Sequence, residues 1–373
     1  MKKSGYGRAD SGIYMLVGGA GVPNYGDELI VSKWVDWIRR GPRFEHLKLV
    51  VELNHMRVSD GLGLSGMQGV FPSGDVSLAR YLLGSTSFDK AFDAGRHFFT
   101  DRHKDPRLER LAERLSRAAV FHLHGGGYLN DLWPSHAFSL GLGCAVKEQF
   151  DCVVLGTGLG LGPFALSGAG QRLREAASMF DVFEVRDGSS FELCGPEGVS
   201  GLDDVFLGPV SSDLIGGDVL HVSLIGATSP DDVARMLPLS FVNKFDRCFF
   251  WMCTPNDAQS FAAVGGLHRH FAPLTPRDLL GPIPCGRSNF MVTERFHPHL
   301  VGARLGFGGT FFSSNEYYDA KHGSVIELGS GFVSSSGFGQ VEKAYEETTP
   351  SSAMVDADAG RIAEKDALVR SAF

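Results

Sequence analysis

"NFMVTERFHPHLVGARLG", residues 289–306, opens as an apolar run of strand length and closes with the spacing of an amphipathic helix. A strand that passes into a helix within a few residues is half of a βα unit. Its junction crowds Glu294, Arg295 and His297 into one turn. Pro298 suits the first helical position, which predicts His297 near the N-cap. An acid, a fixed cation and a titratable base at the carboxyl end of a strand mark a candidate site, because ligands of open parallel sheets collect there.

The same passage recurs upstream. "GIYMLVGG" (12–19) reads as a buried strand, followed by a helix in "DELIVSKWVDWIRR" (27–40) with Leu29, Ile30, Trp34, Trp37 and Ile38 on one broad face. "HLKLVVEL" (46–53) is another strand. The charged surface helix "RLERLAERLSRA" (107–118) leads into "AVFHLHGGG" (119–127), a strand that stops at three glycines. "CVVLGTGLGLGPF" (152–164) is read the same way, and "DVFEVRDGSSFEL" (181–193) as strand, turn and helix start. Beyond "FLGPVSSDLIGGD" (206–218), a Gly/Pro/Ser-rich passage with the character of a linker, a second alternating series begins. The expectation is an α/β protein of two facing Rossmann-like domains with parallel sheets, residues 1–210 and 211–345, and a polar tail, 346–373, with a final helix in "AGRIAEKDALVRSAF".

Composition agrees. A chain of 373 residues exceeds the usual limit of one hydrophobic core, and 43% hydrophobic with 21% charged residues suits folded domains rather than disorder. The 48 glycines gather at the ends of apolar runs, where an α/β protein brings backbone close to a ligand. A net charge of -8 argues against a broad nucleic-acid footprint. The six cysteines form no CxxC pair, so reduced thiols are expected. No apolar segment follows the basic N-terminal residues, and no run reaches the roughly 18 apolar residues of a membrane span. A cytoplasmic location is the expectation. No HExxH or paired-Cys motif points to a metal.

"GGAGVPNYGDELI" (18–30) joins a strand to a helix but lacks both GxGxxG spacing and the P-loop lysine. Asp27 and Glu28 complement the helix dipole themselves, which leaves Asp27 as a cap or as a base toward a hydroxyl-rich ligand. His122 and His124 share a strand face beside Gly125, Gly126 and Gly127, which serve either tight turns or a ligand. Arg186 ends an apolar strand, where it pairs with Asp187 or forms an anion site. "LHRHF" (267–271) reads as an ordinary strand or a diphosphate contact.

Six segments, "NYGDELI" (24–30), "GGGYLND" (125–131), "GTGLGLGP" (156–163), "VRDGSS" (185–190), "TERFHPHLVGARLG" (293–306) and "YYDAKHG" (317–323), resemble in order the motifs of the polysaccharide pyruvyl transferase family. The resemblance spans about residues 13–330. It implies a two-domain GT-B-like fold with the acceptor on the N-terminal side and the donor on the C-terminal side. It also implies transfer of the pyruvyl group of phosphoenolpyruvate to a sugar, commonly as a cyclic ketal, in the synthesis of a surface glycan such as an exopolysaccharide or cell-wall polymer. Arg295, His297, Arg186 and Lys321 then bind the donor, with the first three also catalytic. Asn24, Asp27, Gly125, Gly126, Gly127 and Glu294 are candidates for acceptor binding or the base. Glu294 stands where many relatives carry a small residue. No cofactor beyond the donor substrate is implied, and the acceptor is a sugar or a lipid- or nucleotide-linked glycan. A lipid-linked acceptor would bring the protein to a membrane surface. Two other readings share this architecture: a GT-B glycosyltransferase using a nucleotide sugar, and a non-catalytic glycan-binding relative.

Overall fold

The computed structural model describes residues 12–55, 69–164, 168–226, 229–268, 270–313 and 316–373. The chain divides into two compact units. Unit 1 comprises Met1–Val22, Ile30–Leu207 and Lys365–Phe373; unit 2 comprises Pro23–Leu29 and Gly208–Glu364. Helix Tyr25–Arg40 therefore begins in unit 2 and continues in unit 1, and helix Ser352–Arg370 passes from unit 2 into unit 1.

The strands of unit 1 are β1 (Ile13–Val17), β2 (Lys48–Glu52), β3 (Val70–Ser73), β4 (Ala118–Leu123), β5 (Gly126–Leu129), β6 (Val153–Leu161), β7 (Val182–Val185) and β8 (Val199–Ser200). They form one parallel sheet in the order β3-β2-β1-β4-β6-β7-β8, with β5 paired to β6. β1 is buried at every position. That is why it reads as an unbroken apolar run: a parallel strand covered on both faces has no polar side to alternate with. Helices Phe88–Arg96 and Ala137–Gln149 pack closely enough that a Cβ on Gly95 would lie 2.1 Å from the Phe138 carbonyl oxygen, and one on Gly141 2.0 Å from that of Phe92.

Unit 2 holds β9 (Ser212–Leu214), β10 (Asp218–Ser223), β11 (Arg247–Trp251), β12 (Phe271–Leu274), β13 (Ile283–Cys285), β14 (Ser288–Thr293), β15 (Gly308–Phe311) and β16 (Val333–Ser334). Its main sheet is parallel in the order β12-β11-β10-β14-β15-β16, with β9 and β13 in a separate pair. Counted along the chain, both main sheets open 3-2-1-4, the doubly wound order that reverses direction beside its first strand. Phe241, Phe250, Phe290 and Phe312 help fill the core of unit 2.

Four local expectations change. β6 runs through Gly156, Gly158 and Gly160 to Leu161 instead of stopping at the glycines, because Gly156 and Leu159 pair on both edges with neighbouring strands. The segment read as a linker does hold the boundary between the units, at Leu207 and Gly208, but it starts with buried Phe206 and Leu207 and contains β9, an exposed strand paired with β13. Residues 346–373 are no separate tail: helix Ser352–Arg370 packs into both units, with Arg304 bound to Asp358 in unit 2 and Lys365 bound to Asp204 in unit 1. Residues 23–29, expected with the first domain, contact the second, where Tyr25 N donates to Cys253 O at 2.8 Å.

Candidate functional site

The opening stretch of sequence lies where β10 and β14 meet, the point at which strand order reverses in unit 2. Glu294 N donates to Ser223 O at 2.9 Å, extending that ladder by one residue. The chain then turns, with Arg295 N donating to Thr293 Oγ1 at 2.9 Å. The helix that follows is Phe296–Arg304 with Arg295 in the N-cap position, two residues earlier than Pro298 suggested. Proline is tolerated there because the amides of a first turn have no intrahelical acceptor. His297 is thus a first-turn residue rather than the cap.

Arg295 is anchored on one side. Its Nη2 pairs with the fully buried Asp257 and reaches Thr254 Oγ1 at 3.3 Å. Asp257 also accepts from Thr254 N and Thr254 Oγ1, both at 2.9 Å, so its carboxylate is saturated with donors. The Nε of Arg295 is buried and has no hydrogen-bond acceptor among the described residues. The fork is held in orientation through Nη2, while the neighbouring Nε donor has no acceptor among the described residues. Glu294 is half-buried; its Oε2 accepts from Ile225 N at 2.8 Å, and burial raises its carboxyl above the usual range, with Arg295 opposing. A carboxylate shifted upward is a better base once ionised.

The first turn of helix Tyr25–Arg40 packs onto His297. A Cβ on Gly26 would lie 1.9 Å from His297 Nδ1, so only glycine admits the imidazole at this position. Asn24 precedes that helix: its Oδ1 accepts from Gly26 N at 3.3 Å and its Nδ2 donates to Asp27 Oδ2 at 2.8 Å. Asn24 thus takes the capping position considered for Asp27, and Asp27 is oriented by it. Buried Tyr25 packs edge-on against Trp251, with ring centroids 5.9 Å apart.

Helix Glu316–Glu327 adds Tyr318 and Lys321. Burial raises the Tyr318 phenol above its usual pKa, with the positive charge of Arg295 opposing and Glu294 adding to the shift. Lys321 Nζ lies 3.8 Å from the centroid of the Tyr317 ring, bonds to the Tyr317 hydroxyl and is 5.6 Å from the centroid of the Tyr318 ring. Next to it, buried His322 shares a hydrogen bond with His299 (Nδ1 to Nδ1, 2.9 Å), and burial pushes His322 down to about 4. Unit 2 therefore gathers Asn24, Asp27, Glu294, Arg295, His297 and Lys321 around the carboxyl ends of its strands.

The remaining candidates belong to unit 1. Arg186 is buried and pairs with Asp203 at 2.6 Å; Asp187, its expected partner, is 4.0 Å away and caps the next helix by accepting from Ser190 N at 2.8 Å. Gly125 N donates at 2.7 Å to Asp204 Oδ2, so that amide serves a buried carboxylate. Gly126 and Gly127 open β5. His122 is fully buried between Tyr14 (2.9 Å) and Thr157 (2.8 Å), and burial pushes it down to about 3, which keeps it a neutral structural residue. Arg269 of the 267–271 segment lies outside the described residues; Phe271 begins β12.

Asp257 and Tyr318 were missed in the sequence. The signal for Asp257 was present in "TPND" (254–257), a Thr-x-x-Asp pattern of the capping-box kind. Among the described residues no group of three or more His, Cys, Asp and Glu is placed to hold a metal ion, and no helix is long and apolar enough to cross a membrane. All six cysteines are buried free thiols.

Two Rossmann-like α/β units with parallel sheets define the GT-B type of fold, and solved structures of that type match nearly the whole chain. Spinosyn rhamnosyltransferase SpnG complexed with spinosyn aglycone matches with a TM-score of 0.56 and 11% identity, covering 96% of this chain and 99% of that one. UDP-N-acetylglucosamine 2-epimerase from Rickettsia bellii matches with a TM-score of 0.53 and 9% identity, covering 97% and 96%. At such identities the likeness is one of fold. No family model and no curated protein matches the chain.

Proposed function

We propose that the protein is a pyruvyltransferase that moves the pyruvyl group of phosphoenolpyruvate onto a sugar of a surface-glycan precursor, as a ketal, with release of phosphate. The observation that carries this reading is Arg295: a guanidinium fixed by Asp257, with a buried Nε that has no acceptor among the described residues, beside an imidazole held at a glycine. A doubly anionic donor matches a planar fork, and its carboxylate or phosphate would give that Nε its acceptor. Lys321 lies on the neighbouring helix as a second cation of the same unit. Arg186, in unit 1, is the third cation that the motif resemblance assigns to the donor.

The chemistry needs a proton on the methylene carbon of the enol, which turns C2 into an oxocarbenium-like centre. One sugar hydroxyl attacks C2 and loses its proton to a base. Phosphate departs, and a second hydroxyl of the same sugar attacks C2 and closes the ketal, its proton restoring the one that the imidazole gave to the methylene carbon. His297 is the proton donor in this scheme, since imidazole exchanges protons near neutral pH. Glu294, with its raised carboxyl, and Asp27 are the candidates for the base.

A second reading, transfer from a nucleotide sugar, is supported by the names of two fold neighbours: a rhamnosyltransferase solved with thymidine diphosphate and a UDP-N-acetylglucosamine 2-epimerase. On that reading Arg295 meets a diphosphate. Incubation with phosphoenolpyruvate and methyl pyranosides bearing free O4 and O6 separates the two. Phosphate release that falls about 10²- to 10³-fold in Arg295→Ala and His297→Ala supports pyruvyl transfer. Thermal stabilisation by UDP- or TDP-sugars but not by phosphoenolpyruvate overturns it in favour of the second reading.

A further inference from the structure

Unit 1 has its own polar cluster at the carboxyl ends of β1 and β2. Asn54 follows β2 and is fixed from both sides: its N–H donates to Ala20 O at 2.8 Å, and its Nδ2 donates to Gly19 O at 2.7 Å and Ala20 O at 3.0 Å. That leaves Asn54 Oδ1 as an acceptor, and Arg80 Nη2 donates to it at 2.6 Å. Nη1 of Arg80 meets His136 Nδ1 at 2.6 Å, and the His136 ring packs against Tyr128 with centroids 5.1 Å apart. Both partners of the guanidinium are neutral: burial first, and Arg80 second, push His136 down to about 3.

Other arginines of unit 1 are neutralised differently. Arg110 and Arg114 pair with Asp75, Arg96 with Glu148 and Glu175, and Arg172 with Asp93. Arg80, whose own charged form is disfavoured by burial, has no ion pair with any described carboxylate. A partly buried cation without a counter-charge is unfavourable, and an oxyanion delivered by a ligand would reverse that. A small cavity of about 10 Å³, lined by Gly18, Glu52, Asn54, Ser77, Arg80 and Ser139, lies beside it; it holds no more than a single water, so a phosphate would meet Arg80 from its solvent-facing side. Glu52 is the acid on that wall; burial pushes its carboxyl up to about 7, so it opposes an anion less than an ordinary carboxylate. The turn that leads to His136 leaves Leu132 and Trp133 exposed, an apolar surface near the cluster along the chain.

We propose that Arg80, with its plane set by Asn54 and His136, binds an oxyanion carried by a ligand of unit 1, a phosphate on a sugar or glycan. The site stands on its own geometry; only the identity of that ligand as the glycan acceptor rests on the pyruvyl-transfer reading.

The test is calorimetric titration of the full chain with inorganic phosphate, in an Arg295→Ala background that removes the anion-binding fork of unit 2. A phosphate-binding event is expected to remain, and to weaken about tenfold or more when Arg80→Met is added. Arg80→Lys, which keeps the charge and not the fork, repeats the test should Arg80→Met fail to fold, with a loss in the same direction. Absence of binding in the Arg295→Ala background, or an unchanged dissociation constant in a folded Arg80 variant, overturns the proposal. Acetate in place of phosphate separates the two carriers of such an anion: phosphate bound more tightly supports a phosphorylated ligand, and acetate bound equally well overturns that choice. None of these outcomes depends on phosphate release from phosphoenolpyruvate, so failure of the transfer reading leaves the result intact.

Discussion

Gly26 sets the position of His297. Its missing Cβ leaves the space that the imidazole fills, and a methyl group 1.9 Å from Nδ1 must displace one or the other. Gly26→Ala is therefore expected to lower phosphate release about 10²-fold, the scale of a misplacement near 1 Å. Alanine is the better helix former, so the melting temperature should change little. A variant with full activity would show that His297 is not held by this contact. The chemistry-bearing residues were legible one by one, since Arg, His and Lys at strand ends are conspicuous in a sequence. Their neutralisation was not. Arg295 meets Asp257 across 38 residues and Arg186 meets Asp203 across 17, and no local pattern announces which carboxylate folds back onto which cation.

At the scale of elements, apolar runs and helical periods located the strands and most helices, because burial imposes them residue by residue. What they could not show is how close two helices come. Helices Phe88–Arg96 and Ala137–Gln149 touch at Gly95 and Gly141, where a methyl group would meet main-chain oxygen that cannot move aside. Gly141→Ala is expected to destabilise the protein by about 1–3 kcal/mol, against a gain in helix propensity of under about 1 kcal/mol. Gly360, in helix Ser352–Arg370, has open space where a Cβ would go, so Gly360→Ala should stabilise by about 0.5–1 kcal/mol. Urea midpoints of the two variants moving in opposite directions check the pair. β6 misled for a related reason: glycines inside a strand look like its end when the neighbours that need the space are not visible.

At the scale of the molecule, the doubly wound pattern of each unit was readable and the membership of its segments was not. Helix Ser352–Arg370 completes unit 1 through Lys365, which is buried with Glu184 and lies 2.6 Å from Asp204. Asp204 also accepts from Trp34 Nε1 at 2.7 Å, Gly125 N at 2.7 Å and Thr157 Oγ1 at 3.0 Å, so one carboxylate ties several strands and a helix together. Burial raises the Glu184 carboxyl, and the two carboxylates together hold Lys365 in its charged form. Lys365→Met strands both acids and should lower stability by about 3–5 kcal/mol, read from chemical denaturation. A shift under about 1 kcal/mol would mean that water replaces the ammonium.

The placement of Lys365 also sets a timetable for biosynthesis. While the ribosome is still making residues 208–364, the sheet that contains β1 to β8 has two interior acids and no ammonium to meet them. That half of the nascent protein must wait, partly made, for a segment translated more than 150 residues after Leu207, whose positions the sequence itself counts. Its last step of assembly then follows translation of the whole of the other half, which has all but its Pro23–Leu29 segment in one continuous stretch.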